Sequence, residues 1–384
     1  MADRADVTDL VGPAGLAELV DLVDHHCHGV ARGPLDEARF LSYLTESDAP
    51  AAAGTTFFDS QLGFAVRRWC PPLLGLPAHC PPGDYLARRA ELGDEEVTRR
   101  LLRSTGITDY VVDTGLAVGL TTPEELAAAG GGRSHEIVRL ETVAERVAEK
   151  AGTGREFLDS LQEAVHAAAR TAAGFKSVAA YRHGLGLDPA PPGPGELGAA
   201  ADRLLAARDG GHRLDDPVLL RHLLWTAAAT ALPLQIHTGF GDPDLRLHHS
   251  DPALLTGFIK AVRPTGCSLV LLHAYPYHRN AAYLAHVFPH VYADVGLTLS
   301  YTGARAAAVL AEVLELAPFG KVMFSTDAYG LPELYVAGSR LFTRALGQLT
   351  ETWVDEGAWA AADAPRIAAL IGSGNARRLY GLAP

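Results

Sequence analysis

Cysteine is scarce in this chain of 384 residues, and lysine is little more than a trace. The four cysteines, Cys27, Cys70, Cys80 and Cys267, are scattered without CxxC spacing, which argues against a disulfide framework and against a zinc–cysteine module. Only Lys150, Lys176, Lys260 and Lys321 stand among the 33 basic residues, and 45 acidic residues bring the formal net charge to −12. Nucleic acid and anionic membrane both reward a basic surface, so neither is expected as a partner. No apolar run approaches the ~18 residues of a membrane span. The start, MADRADVTDL, holds acids and no apolar centre, so no secretory signal is read there and a cytoplasmic protein is expected. What is present is an ordinary core-forming composition, 48% hydrophobic and 20% charged, long enough for one large α/β domain or two smaller ones.

Eight short apolar or β-branched runs recur along the chain: LVDHH (22–26), TDYVVD (108–113), EIVRLE (136–141), GFKSVAAY (174–181), PLQIH (233–237), SLVLLH (268–273), VYADVG (291–296) and KVMFST (321–326). Alanine-rich stretches of helical periodicity, such as REFLDSLQEAVHAAARTAAG and ARAAAVLAEVLELAP, lie between most of them. Alternation of this kind implies a parallel sheet, and eight units imply closure into a (β/α)8 TIM barrel. A doubly wound sheet would place a glycine-rich phosphate loop after its first strand, where this chain has HHCHGV. We therefore expect one α/β barrel domain over 1–384. A helical insertion between strands 1 and 2 (29–107) would act as a lid, a Pro/Gly-rich loop occupies 184–200, and a C-terminal helical tail covers 338–380.

The stretch VDHHCHGV crowds three histidines and a cysteine at the end of the first strand. Residues two apart on a strand share a face, so Asp24, His26 and His28 would face one side, His25 and Cys27 the other. With the first face inward, two imidazoles emerge at the barrel's C-terminal mouth while His25 and Cys27 pack against the helices. HxH alone is weak evidence. Further metal-capable residues close other strands, however: His237 in strand five, His273 in strand six and Asp327 in strand eight. Taken singly, Asp327 is as readily a helix N-cap and each histidine a hydrogen-bonded core residue. Together they fall at the end of a barrel where catalytic groups gather.

This order of ligands resembles the amidohydrolase superfamily, in particular the branch that groups metal-dependent hydrolases with decarboxylases of planar acids. GFKSVAAYRHGL, LPLQIHTGFGDPDLRL and GNARRLYGL are similar to an amidohydrolase-like domain that plants and fungi can fuse to a glutamine-synthetase-like ligase. The resemblance implies one divalent ion held by His26, His28, His237 and Asp327. That mixture of imidazole and carboxylate suits zinc, and manganese and iron are also compatible. It implies Asp327 and His273 as catalytic groups, Asp327 taking a proton from water and His273 orienting it or stabilising the oxyanion. A second metal would need a bridge, often a carbamylated lysine at the end of strand four. Lys176 sits early in its run and Arg182 cannot coordinate. Glu141, closing strand three, could bridge instead or simply pair with Arg139. One metal is expected.

Tyr181, Arg182, Glu141 and Arg246 are the candidate substrate contacts, Arg182 as a bidentate anchor for a carboxylate. Asp242 and Asp244 follow His237, with Asp242 read as a surface turn; Arg67, Arg68 and Trp69 could line the lid. The expected function is hydrolysis of an amide or related C–N bond in a small carboxylate-bearing substrate. The alternative is a metal-dependent nonoxidative decarboxylase, and from another class comes a non-catalytic barrel scaffold. A homo-oligomer, most simply a dimer, is expected.

Overall fold

The structure, a computed structural model, describes residues 21–383 apart from 117–118 and 208–212. The eight expected strands are all present: β1 (Leu22–Cys27), β2 (Ile107–Asp113), β3 (Arg133–Arg139), β4 (Gly174–Ser177), β5 (Leu234–Thr238), β6 (Leu269–His273), β7 (Val291–Asp294) and β8 (Val322–Met323). They pair in parallel in chain order. The segment after β8 returns to β1, where His25 N–H donates to Phe324 O (3.3 Å), Asp327 N–H to His26 O (3.0 Å) and His28 N–H to Ala328 O (2.9 Å). The barrel is thereby nearly closed.

Runs such as LVLLH carry no polar alternation because both faces are buried. One set of side chains, Val23, Val111, Ile137, Val270, Leu272 and Met323, packs together with Ala376 and Tyr380 of the C-terminal helix Asn375–Tyr380. A much larger apolar cluster joins the strands to the surrounding helices. Asn375 clips the tail to β8 by donating from Nδ2 to Phe319 O and Val322 O. The tail begins earlier than expected, with the helix Pro332–Asp355.

The 29–107 segment is helical, with helices Glu37–Ser42, Gln61–Leu73, Pro82–Leu92 and Asp94–Arg103. Most of it braces the flank. Glu333 of the helix Pro332–Asp355, fully buried, accepts from Arg89 Nε (2.5 Å) and Tyr85 OH (2.7 Å) of the insertion. Only the stretch Ser42–Asp48 and Leu62 reach the central cavity. Arg67, Arg68 and Trp69 lie away from that cavity, so the lid lining expected of them is not seen.

Two strand ends differ from expectation for one shared reason. Glu141 does not close β3; it sits in the first turn of the helix Leu140–Ala148. From there its Oε1 accepts from Ser177 Oγ (2.7 Å) and Val178 N–H (3.0 Å). That takes the donor which would have continued β4, and the chain turns into the short helix Ala179–Arg182. Lys176 consequently lies one residue from the end of β4 rather than early in a longer strand.

Candidate metal and active site

The β1 end is not a regular strand. Asp24 pairs with Tyr110 but Cys27 with Val112, so three steps on β1 match two on β2. A bulge of this kind resets the side-chain alternation. His25 and His26 both make contacts across the barrel: His25 Nε2 lies 2.8 Å from Asp294 Oδ2 on β7, and His26 Nδ1 lies 2.8 Å from Gln235 Oε1 on β5. The expectation that His25 packs against the helical layer is therefore corrected. Cys27 does belong to the outer cluster. Asp24 serves as a brace, accepting from Thr326 N–H (2.9 Å) and Thr326 Oγ1 (2.5 Å) beside Asp327.

Hydrogen bonding sets the tautomers of the two HxH rings. Gln235 donates from Nε2 to His25 O and Tyr380 OH, both at 2.8 Å, so its amide oxygen faces His26. The proton of His26 is then on Nδ1, and the lone pair is on Nε2. His28 Nδ1 likewise meets Asp113 O at 3.1 Å. Both Nε2 atoms aim at one carboxylate oxygen, Asp327 Oδ1, at 3.0 Å for His26 and 3.3 Å for His28. His273 Nε2 lies 3.5 Å from Asp327 Oδ2. Its two ring nitrogens, buried, have no hydrogen-bond partner among the described residues.

Lone pairs turned on a carboxylate repel unless a cation lies between them. Burial pushes His26 down to about 3, helped by Lys176, so a proton on that ring does not supply it. Burial would raise the Asp327 carboxyl, but His273, His26 and His28 outweigh it and hold the group well below the usual carboxylate range. His26, His273 and Asp327 form one set of donor atoms within 4.8 Å of one another, and His26, His28 and Asp113 a second. The donor set fits a divalent ion. Ligand histidines whose other nitrogen is held by an amide or carbonyl oxygen are the usual arrangement around such ions.

His237 stands slightly apart. Its Nε2 meets Phe240 O at 3.1 Å, which leaves Nδ1 as the free nitrogen, and its ring packs on His273 (4.8 Å) and Tyr181 (4.5 Å). It lines the cavity without joining either compact donor set. Lys176 is closer in: Nζ lies 3.3 Å from His26 Nε2, and burial brings the ammonium down to about 8 against the opposing pull of Asp113 and Asp327.

Backbone strain marks the same positions. His273 (φ 66°), Ala274 (φ 62°) and Asp327 (φ 51°) all adopt left-handed conformations, each costing about 1–3 kcal/mol for a residue with a side chain. The surroundings hold them: His273 N–H donates to Asp294 Oδ1 (2.6 Å), and Thr298 Oγ1 donates to His273 O (2.7 Å).

A cavity of about 450 Å³ opens above these groups. Tyr181, Asp242 and Asp244 line it as well, but the other expected substrate contacts do not. Arg182 pairs with Glu145 (3.1 Å) outside it, Glu141 is buried against β4, and Arg246 is exposed at the surface. Nor does Glu141 pair with Arg139, whose guanidinium grips Asp113 (2.6 Å). Some contributors escaped the sequence reading. Asp113 and Asp294 end strands just as His273 does, and Gln235 stands two before His237, so the signal was there. Glu46 and Tyr301, which both line the cavity, carried none.

Comparison with known proteins agrees with this geometry. The amidohydrolase family profile matches residues 23–382. The protein fluG of Emericella nidulans is 36% identical over 222 residues, a match covering 54% of this chain but 25% of the relative, so the chain accounts for about a quarter of that protein's length. A solved structure from Lactobacillus casei ATCC 334, assigned as a metal-dependent hydrolase, superposes with a TM-score of 0.79 at 29% identity, covering 95% of this chain and 97% of the other. The uronate isomerase of Bacillus halodurans C-125 shares the fold alone, at 14% identity and TM-score 0.63 over 100% and 98% of the two chains.

Proposed function

The chain belongs to the amidohydrolase family, and from that premise we propose that it is a metal-dependent hydrolase cleaving an amide or related C–N bond of a small substrate. One observation carries the reading: three imidazoles, those of His26, His28 and His273, converge within 3.0–3.5 Å of the Asp327 carboxylate at the floor of the cavity. His26, His28, His273 and Asp327 would hold the ion, with His237 contributing through Nδ1. Zinc suits these donors best, and manganese and iron are compatible. When bound, such an ion supplies Lewis acidity and brings a water's pKa toward ~7.

The chain's own groups do the rest. Asp327 is ionised and placed to take a proton from an attacking water and pass it to the leaving nitrogen. Gln235 and the Asp113 carbonyl keep the HxH rings in the tautomer that presents Nε2. Tyr181 and His237 wall the cavity beside the reacting bond. A two-ion arrangement bridged through a modified Lys176 is a second reading, favoured by the 3.3 Å approach of Nζ to His26. A decarboxylase would need a cation to hold its acid, and Arg182, the candidate carboxylate anchor, is engaged with Glu145.

The test combines metal analysis with turnover in oxygen-18 water. Hydrolysis places the label in the carboxylic product and requires one or two equivalents of transition metal. Release of carbon dioxide with solvent deuterium on carbon would establish decarboxylation instead, and a metal-free inactive protein would leave the scaffold.

A further inference from the structure

The carboxylate expected on the substrate needs a free cation in the cavity, and among the described residues the lining offers none away from the metal donors. Arg139 is committed to Asp113 through Nε (3.1 Å) and Nη2 (2.6 Å). Arg213 is bound to Asp244 at 2.5 Å. Lys176 sits against His26. The opposite sign is in excess. Glu46 and Asp242 both line the cavity, and among the described residues neither has an ion-pair partner. Glu46 is half-buried beside Tyr301, and burial together with its acidic neighbours Asp327 and Asp242 pushes it up to about 7. Asp242 is exposed and lies in the field of Arg213, itself paired with Asp244, so the uncompensated acid is Glu46, whose burial among like charges a bound cation would relieve.

A second observation, independent of charge, points the same way. Ser300 is only 4% exposed, lines the same cavity, and its Oγ has no hydrogen-bond partner among the described residues. Buried hydroxyls are nearly always satisfied, and one left open calls for a partner from outside the chain. Ser300 and Tyr301 are adjacent on the helix Gly296–Thr302. The open hydroxyl, Tyr301 and Glu46 all line this one cavity.

Resting on the hydrolase reading above, we infer that the cavity holds a subsite for the cationic end of the substrate, with Glu46 and Asp242 receiving an ammonium or guanidinium group while the C–N bond lies at the Asp327 end. The substrate class is an amide carrying a second, positively charged nitrogen. Glu46 and Asp242 determine specificity and take no part in bond cleavage.

The experiment uses the purified holoenzyme, Glu46→Gln and Asp242→Asn. Mono-N-acyl diamines of two to six carbons are compared with N-acyl alkylamines of equal length, with acetyl, benzoyl and γ-glutamyl acyl groups, alongside aminoacyl amides that carry the charge on the acyl side. Binding of the free diamines, against diols of the same length, is followed by calorimetry. The inference expects kcat/KM to favour the charged member by about 10- to 100-fold, mostly through KM, as charge-assisted contacts do. It expects Glu46→Gln to erase most of that preference while sparing turnover of neutral amides. Cleavage without charge preference, unchanged in both variants, would overturn the subsite and leave the hydrolase reading standing. Diamine binding that is lost in Glu46→Gln, with no amide turned over, would uphold the subsite and sink the hydrolase reading. A fall in metal content in Glu46→Gln would show an inorganic cation in this subsite and overturn the amine assignment.

Discussion

Replacing Gln235 with leucine tests whether the metal site is organised by hydrogen bonds behind the ligands. Gln235 is fully buried and makes three contacts of 2.8 Å: Oε1 to His26 Nδ1, and Nε2 to His25 O and to Tyr380 OH. Leucine is nearly the same size, so little cavity opens, but His26 Nδ1–H and the His25 carbonyl lose their partner. Tyr380 keeps its contact with His25 Nδ1 at 3.3 Å. At about 1–3 kcal/mol for each stranded buried group, and less than additive within one network, the loss is ~2–4 kcal/mol. The His26 ring is also freed to turn or to move its proton to Nε2, which should weaken metal binding about 10- to 100-fold. Gln235→Glu separates the two effects: it keeps an acceptor for Nδ1–H and should retain the metal, while losing stability with the donors. Urea unfolding of metal-free protein reads the first quantity and chelator competition the second. If Gln235→Leu binds metal within about twofold of the wild type, the tautomer argument for His26 fails, whatever happens to stability.

Other consequences follow from the same geometry. Asp327→Asn should lower kcat by about 10²–10⁴-fold in a steady-state assay, because it removes the proton acceptor. His273→Ala should lose more metal than His237→Ala by elemental analysis, since His273 Nε2 belongs to the compact donor set and His237 Nε2 is given to Phe240 O; the reverse order would restore the ligand set read from sequence. Glu333→Gln leaves Arg89 buried beside an uncharged partner and should cost about 3–5 kcal/mol in unfolding experiments without changing metal content. Burial would raise Asp109, but His135, Arg133 and Thr108 outweigh it and hold the carboxyl below its ordinary value. Its stabilising contribution is therefore complete above about pH 4 and lost as the pH falls toward the folded-state value. Asp109→Asn should be less stable at neutral pH and should show a shallower loss on acidification, measured as unfolding free energy against pH.

Much of this is legible in the amino-acid sequence. Eight apolar runs separated by helical stretches carry the barrel, because strands buried on both faces must be continuously apolar. His26, His28, His273 and Asp327 were visible as polar residues just past such runs, where a barrel keeps its open end. Asp113 and Asp294 gave the same signal and went unread. Three-dimensional folding settled what local pattern cannot encode. The bulge in β1 turned His25 inward, because alternation holds only while the register does. Glu141 ended β4 through a contact between residues 36 apart in the chain, and so moved Lys176 to the strand end and Tyr181 and Arg182 onto a helical turn. The partners of Arg139, Arg182 and Arg213 decided the charge of the cavity. An arginine's sequence neighbours say nothing about which carboxylate will reach it, and only the closed barrel brings Asp113, Glu145 and Asp244 within range.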